Sequence, residues 1–255
     1  VGIGTDQTPD KLNVRGNVNI VGVLTATTLH GDGSNLTGIV SDKIFEGNTE
    51  VETIDTGSNG HIKFTTEGVE RARIDKDGHI LIGGTSERSV GFSHELQLEG
   101  TSTTPHSISQ ISNRADAHAS HIDFAKTRGA SFGSTNIVQD DDFLGHIVFR
   151  GSDGTDLATQ SSRISGAVDG TPGSNTIPGR LEFYTQSTSG GSITERARIT
   201  SGGVFKMPDN GKIELGGAQS GTGDIQIYHN GTNSIIKNDT GDLEIRGSVV
   251  KILGE

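Results

Sequence analysis

The chain of 255 residues contains no cysteine, no tryptophan, one methionine and 5 prolines, and only 30% of it is hydrophobic. The missing cysteine excludes disulfide stapling, cysteine-rich zinc sites and thiol nucleophiles. Aromatic residues make up 4%, which leaves few platforms for stacking against sugars and weighs against a polysaccharide depolymerase. No apolar run approaches the roughly 20 residues of a membrane span, so no membrane insertion is expected. The net charge of -11, with basic residues scattered singly among Asp and Glu, argues against nucleic acid as a partner. Val1 follows no Met and opens no signal-peptide pattern, so a fragment of a longer chain is expected.

Helical periodicity is nearly absent. Alanines 115, 117, 119 and 125 suit a short helix over 115–126, but Ile122 and Phe124 fit a strand, and the strand is the expectation. A helical turn after Ser34, within 34–45, is the other exception.

What the chain does have is glycine, at 38 positions, and short bursts of apolar residues two apart. Leu12/Val14, Val18/Ile20, Ile62/Phe64, Leu96/Leu98 and Ile122/Phe124 are followed by Ile147/Phe149, Leu181/Phe183, Ile213/Leu215, Ile225/Ile227 and Leu243/Ile245. Such alternation predicts short, half-buried strands. Between them lie Asn59-Gly60, Asn210-Gly211 and Asn230-Gly231, with Asp32-Gly33, Asp77-Gly78, Asp153-Gly154 and Asp169-Gly170. These pairs supply the positive φ angles that tight turns require. The regular bursts, with so few prolines, also argue against a disordered chain.

Two units repeat. Glu70-Arg71-Ala72-Arg73-Ile74, a turn, and His79 to Ile82 return as Glu195-Arg196-Ala197-Arg198-Ile199, a turn, and Val204 to Met207. Leu12-Asn13-Val14-Arg15-Gly16 is echoed by Leu96 to Gly100 and by Leu243 to Gly247, and Ile3-Gly4-Thr5 by Ile82 to Thr85. Small units that cannot bury an apolar face alone must stack along an axis or against neighbouring chains. The expected architecture is all-β, elongated and repeat-built, with very little helix. Its shaft modules are 1–45, 46–100 and 181–255, the last ending in a hairpin from Asp224 to Arg246, around a thicker central β domain over 101–180. Ordering a residue costs about 1 to 2 kcal/mol, and glycine loses the most freedom. Burial between chains is the natural source of the missing stabilisation.

Several strings resemble those of tailed-phage fibre proteins, particularly tail-fibre-like virion proteins of phages of marine cyanobacteria. They are Gly22 to Thr28 with Gly31 to Gly38, the two Glu-Arg-Ala-Arg-Ile units, Val168 to Ser174, and Ile225 to Gly231. The resemblance implies an intertwined homotrimeric β fibre with a structural role in a virion appendage, a tail, neck or baseplate fibre. It implies other appendage proteins as partners, host attachment through a cell-surface glycan or protein receptor, and no enzymatic activity. A receptor- or carbohydrate-binding tip is the alternative. A self-cleaving C-terminal chaperone domain, present in some relatives, is absent. Lys251 to Glu255 still reads as strand, so the natural chain is expected to continue.

No catalytic, cofactor-binding or metal site is assigned. Asp140-Asp141-Asp142, and Asp153 with Asp156, offer oxygen ligands for a hard cation, but neither matches a complete calcium loop. His118 and His121 share a face only on a helix; on the expected strand they point to opposite faces. Gly2-Ile3-Gly4 and Gly202-Gly203 lack the context of a phosphate-binding loop. The triplets starting at Asn35, Asn230 and Asn238 match glycosylation acceptors by spacing only. Alternation places Arg71 with Arg73, and Arg196 with Arg198, on one strand face, from which they are expected to reach acidic residues of an adjacent chain. Receptor contact is expected on loops of 101–180.

Overall fold

The computed structural model describes residues 17–23, 25, 43–101, 107–188, 190–218 and 221–247. Among them there is no helix, and every strand but one pairs antiparallel with a neighbour in sequence. The first sheet has six strands in sequence order: β1 (Lys43–Glu46), β2 (Thr49–Ile54), β3 (His61–Thr66), β4 (Val69–Ile74), β5 (Ile80–Ile82) and β6 (Leu96–Leu98), with β6 parallel to β5. The second has five: β7 (Phe143–Arg150), β8 (Gln160–Val168), β9 (Gly179–Thr185), β10 (Thr194–Ile199) and β11 (Phe205–Lys206). The third has three: β12 (Lys212–Leu215), β13 (Ile225–His229) and β14 (Ser234–Asn238). The second sheet runs through the boundary expected between 180 and 181.

Turn chemistry sets the registers. β3 and β4 are joined by Glu67-Gly68, both at positive φ (52° and 70°), the backbone of a two-residue hairpin whose twist matches its strands. Asp75 closes the next turn by accepting from the backbone N–H groups of Asp77 and His79 at 3.0 and 2.9 Å, with Gly78 at φ 93°. Thr200 occupies the same place in the second sheet, its Oγ1 accepting from Val204 N–H at 3.2 Å.

The repeated Glu-Arg-Ala-Arg-Ile unit is a bulge module. Thr65 pairs with Glu70 and Phe64 with Ala72, so Arg71 is the extra residue. Tyr184 pairs with Glu195 and Phe183 with Ala197, so Arg196 is extra in turn. Both copies therefore bend and twist their strand at one place.

Several expectations need correction. Residues 118–127 are irregular, and Ile122/Phe124 are not in a strand. Phe124, 55% exposed, instead lies with one side against Gly145, where a Cβ would stand 2.6 Å from Phe124 Cγ, and takes part in no ladder. Leu243/Ile245 also fall outside strands, so the final hairpin is β13 and β14 and ends at Asn238. Val18 and Ile20 are exposed and unpaired. The Leu12/Val14 strand, the Asp32-Gly33 turn and most of the Ser34 helical turn lie outside the described residues, while Lys43–Glu46 is strand.

Candidate assembly interface

Register places opposed residues on one face of a sheet. In the first sheet, one row reads Ile44, Val51, Phe64, Ala72, Ile82 and Leu98, and the next Thr53, Ile62, Ile74, Ile80 and Leu96. These two rows are thus apolar but for Thr53, and the Glu46–Thr49 pair borders them on the same face. It is open: Ile44 is 80% exposed, Ile80 45% and Leu96 50%. The second sheet repeats this with Ile147, Ile164, Phe183 and Ala197, then Leu181, Ile199 and Phe205. The third does so with Ile213, Ile227 and Ile236, flanked by Leu215 and Ile225.

The opposite faces are polar and tightly paired. In the first sheet Lys43 meets Glu50 and Glu52 at 3.1 and 2.8 Å, and Lys63 meets Glu52 at 2.5 Å. Lys43, and then Lys63, hold the Glu52 carboxyl below its ordinary range. In the second sheet Glu182 is 1% exposed. Burial would raise its pKa, but the Tyr184 hydroxyl at 2.6 Å and the Arg180 guanidinium at 2.6 Å outweigh that and lower it. Arg180 also reaches Asp141 at 2.8 Å. In the third sheet Gln226, 1% exposed, accepts from Lys212 Nζ at 2.9 Å.

Burial is therefore inverted. Among the described residues only Leu81, Val138, Ala167, Val168 and Ala197 are buried apolar side chains, alongside Thr65, Asp142, Ser165, Glu182 and Gln226. Open apolar rows thus recur on each of the three sheets, and exposed apolar patches of this kind mark interaction surfaces. Such faces are chemically suited to burial against like faces.

This chain aligns at TM-score 0.53 with the carboxy-terminal domain of the bacteriophage T5 L-shaped tail fibre, with 13% identity, over 82% of this chain and 83% of that one. The fold is similar to that of a phage tail-fibre domain. The same T5 domain with its intramolecular chaperone aligns at TM-score 0.51 and 14% identity, over 80% of this chain and 60% of that longer one. No family model matches the sequence, and no curated protein matches it.

The residues singled out in the sequence fall mostly within structural networks. Asp142 accepts from Arg128 at 2.7 Å and pairs with Lys126 at 2.8 Å; Arg128 first, then Lys126 and the Gln139 N–H, hold its carboxyl well below the carboxylate range. Asp141 turns to Arg180, and Asp140 accepts from Gly170 N–H at 2.6 Å. The three carboxylates thus point to three different partners. Asp153 caps its own turn, accepting from Thr155 and Asp156 N–H and the Thr159 hydroxyl. His118 lies beside Asp116 at 3.3 Å, and His121 is exposed in the same irregular stretch.

The arginine pairs behave differently from expectation. Arg73 forks onto Glu70 of its own strand at 2.5 and 2.8 Å, and Arg198 onto Glu195 at 2.5 Å through both nitrogens. Arg71 and Arg196, displaced by the bulge, donate to Thr66 and Thr185 hydroxyls at 3.0 and 2.9 Å. Within each unit the first arginine serves the bulge and the second an intrachain ion pair.

Proposed function

We propose that this chain is a structural segment of a phage fibre, a tail or neck appendage of the virion, in which three copies associate through their apolar sheet faces. The observation that carries the reading is that all three sheets keep an apolar face open and a salt-bridged face on the other side. Likeness to a tail-fibre domain supports it, and so do the repeated bulge modules. In this reading the apolar rows form a narrow shared core, the ion-paired faces meet solvent, and the work of the chain is stiffness, length and display. Module 46–100 serves as shaft and 101–180 as the section that displays receptor-contacting surface, with other appendage proteins joined along the fibre and a host surface glycan or protein as target. The role is non-enzymatic.

Light scattering on the purified chain, with a denaturation series, tests this. A mass of three chains and unusual resistance to denaturant are expected. A well-folded monomer at micromolar concentration overturns the shared core.

A further inference from the structure

We infer that the polar face of the second sheet carries a binding site for a carboxylate-bearing sugar, centred on Arg163. The strand register brings Arg163 of β8 opposite Val148 of β7 and Tyr184 of β9, with His146, Ser165 and Glu182 in the adjoining row. The guanidinium carbon lies 4.2 Å from the Tyr184 ring centre and 5.1 Å from that of Phe143. Phe143 in turn leans on the exposed His146 ring at 4.8 Å, and His146 Nδ1 lies 3.0 Å from the Ser165 hydroxyl. Two aromatic rings thus fix the plane of the guanidinium, which is the preparation a bidentate carboxylate contact needs.

Arg163 lacks the partner its neighbours have. Arg180 and Arg198 each face a carboxylate within 2.6 Å, whereas among the described residues no carboxylate stands within ion-pair distance of Arg163, and its buried Nε has no hydrogen-bond acceptor. The buried Nε is out of a ligand's reach, but a half-buried guanidinium with no carboxylate beside it, in a chain of net charge -11, points to an acidic group supplied from outside. The acid of the adjoining row, Glu182, is already matched by Arg180, Arg198 and the Tyr184 hydroxyl, so it does not cancel the positive field. Burial, then the charge of Arg163, hold His146 below the ordinary imidazole value, which leaves a neutral ring able to exchange hydrogen bonds with hydroxyl groups.

The occupant is a sugar rather than a peptide because β8 is an interior strand, flanked on both sides. Its backbone groups are spent on β7 and β9, so no extended peptide can add there, and ring, imidazole, hydroxyl and guanidinium side chains do the reading. The inference rests on the fibre reading in one respect: association through the apolar faces leaves this face outward.

The test is titration of the intact chain with an oligogalacturonate and with its methyl ester, with mass measured by light scattering on the same sample. The acid is expected to bind at least about tenfold more tightly than the ester, and Arg163→Gln to lose about tenfold or more. Arg163→Lys, which keeps the charge and loses the planar fork, is expected to fall several-fold. Equal binding of acid and ester, no binding of the acid, or polyglutamate binding as well as the oligogalacturonate overturns the inference. The comparison of acid with ester needs no variant and so holds if Arg163→Gln folds poorly. A monomeric mass with acid-selective binding sinks the fibre reading and leaves this site standing.

Discussion

Ile80→Asp is the sharpest test of how the open faces are used. Ile80 lies in the row of Ile62, Ile74 and Leu96 and is 45% exposed. Covering what remains removes about 80 Å2 from water, worth about 2 kcal/mol per chain at roughly 25 cal/mol per Å2, or about 6 kcal/mol for three chains. Losing that weakens association by about four decades. The introduced carboxylate adds desolvation of an unpaired charge in each chain. Within one chain the same substitution costs about 1 kcal/mol, since the site is half exposed already. A dilution series by light scattering should therefore show a folded variant that dissociates where the parent chain does not. Lys206→Asp, in the polar row with Arg198, should leave the mass unchanged. An Ile80→Asp chain that keeps the parent mass at every dilution refutes the assignment of this face.

Three further outcomes follow from particular contacts. Glu182→Gln should cost about 1.5 to 3 kcal/mol, because Arg180 and the Tyr184 hydroxyl lose their charged acceptor while Arg180 keeps Asp141 and Asp169, and urea unfolding reads this directly. The Glu182 pKa is lowered by folding, so its contribution is complete above the unfolded value of about 4.3 and is lost as pH falls through the folded value; melting temperature in the parent should drop across that acid window, and less in the Gln variant. Gly145→Ala must push Phe124 aside and should cost about 1 to 3 kcal/mol, with hydrogen exchange rising at 118–127 if that ring is what holds the stretch. Glu67→Gly should stabilise the β3–β4 hairpin by about 1 kcal/mol, since Glu67 sits at φ 52° where a side chain is strained; a lower melting temperature would contradict this.

The strands were legible where alternation and turn dipeptides agreed, as at Ile62/Phe64 with Asn59-Gly60 and at Ile225/Ile227 with Asn230-Gly231. Ile122/Phe124 and Leu243/Ile245 carry the same alternation without a strand, because period two records only that one side of a segment is apolar. At Phe124 that side meets the bare backbone of Gly145, and no ladder is needed. The bulges escaped the reading because spacing assumes an unbroken ladder, and only Glu70 and Glu195 standing three residues before their ion-paired arginines hinted at the break. The Arg163 cluster was illegible for another reason: its members come from three strands and meet only once register is known. Glu67-Gly68 was missed because Glu is rarely the residue at positive φ.

Nearest-neighbour strand order has a consequence for biosynthesis. Because all but one of the ladders join consecutive antiparallel strands, no stretch waits long for a distant partner, and each hairpin can close soon after it leaves the ribosome. Closing the hairpins also lays the isoleucine and phenylalanine rows side by side while they are still open to water. Under the proposed association the hazardous interval would fall after the strands have paired, when a correctly folded single chain is at its stickiest, and local chain concentration rather than folding speed would decide its fate.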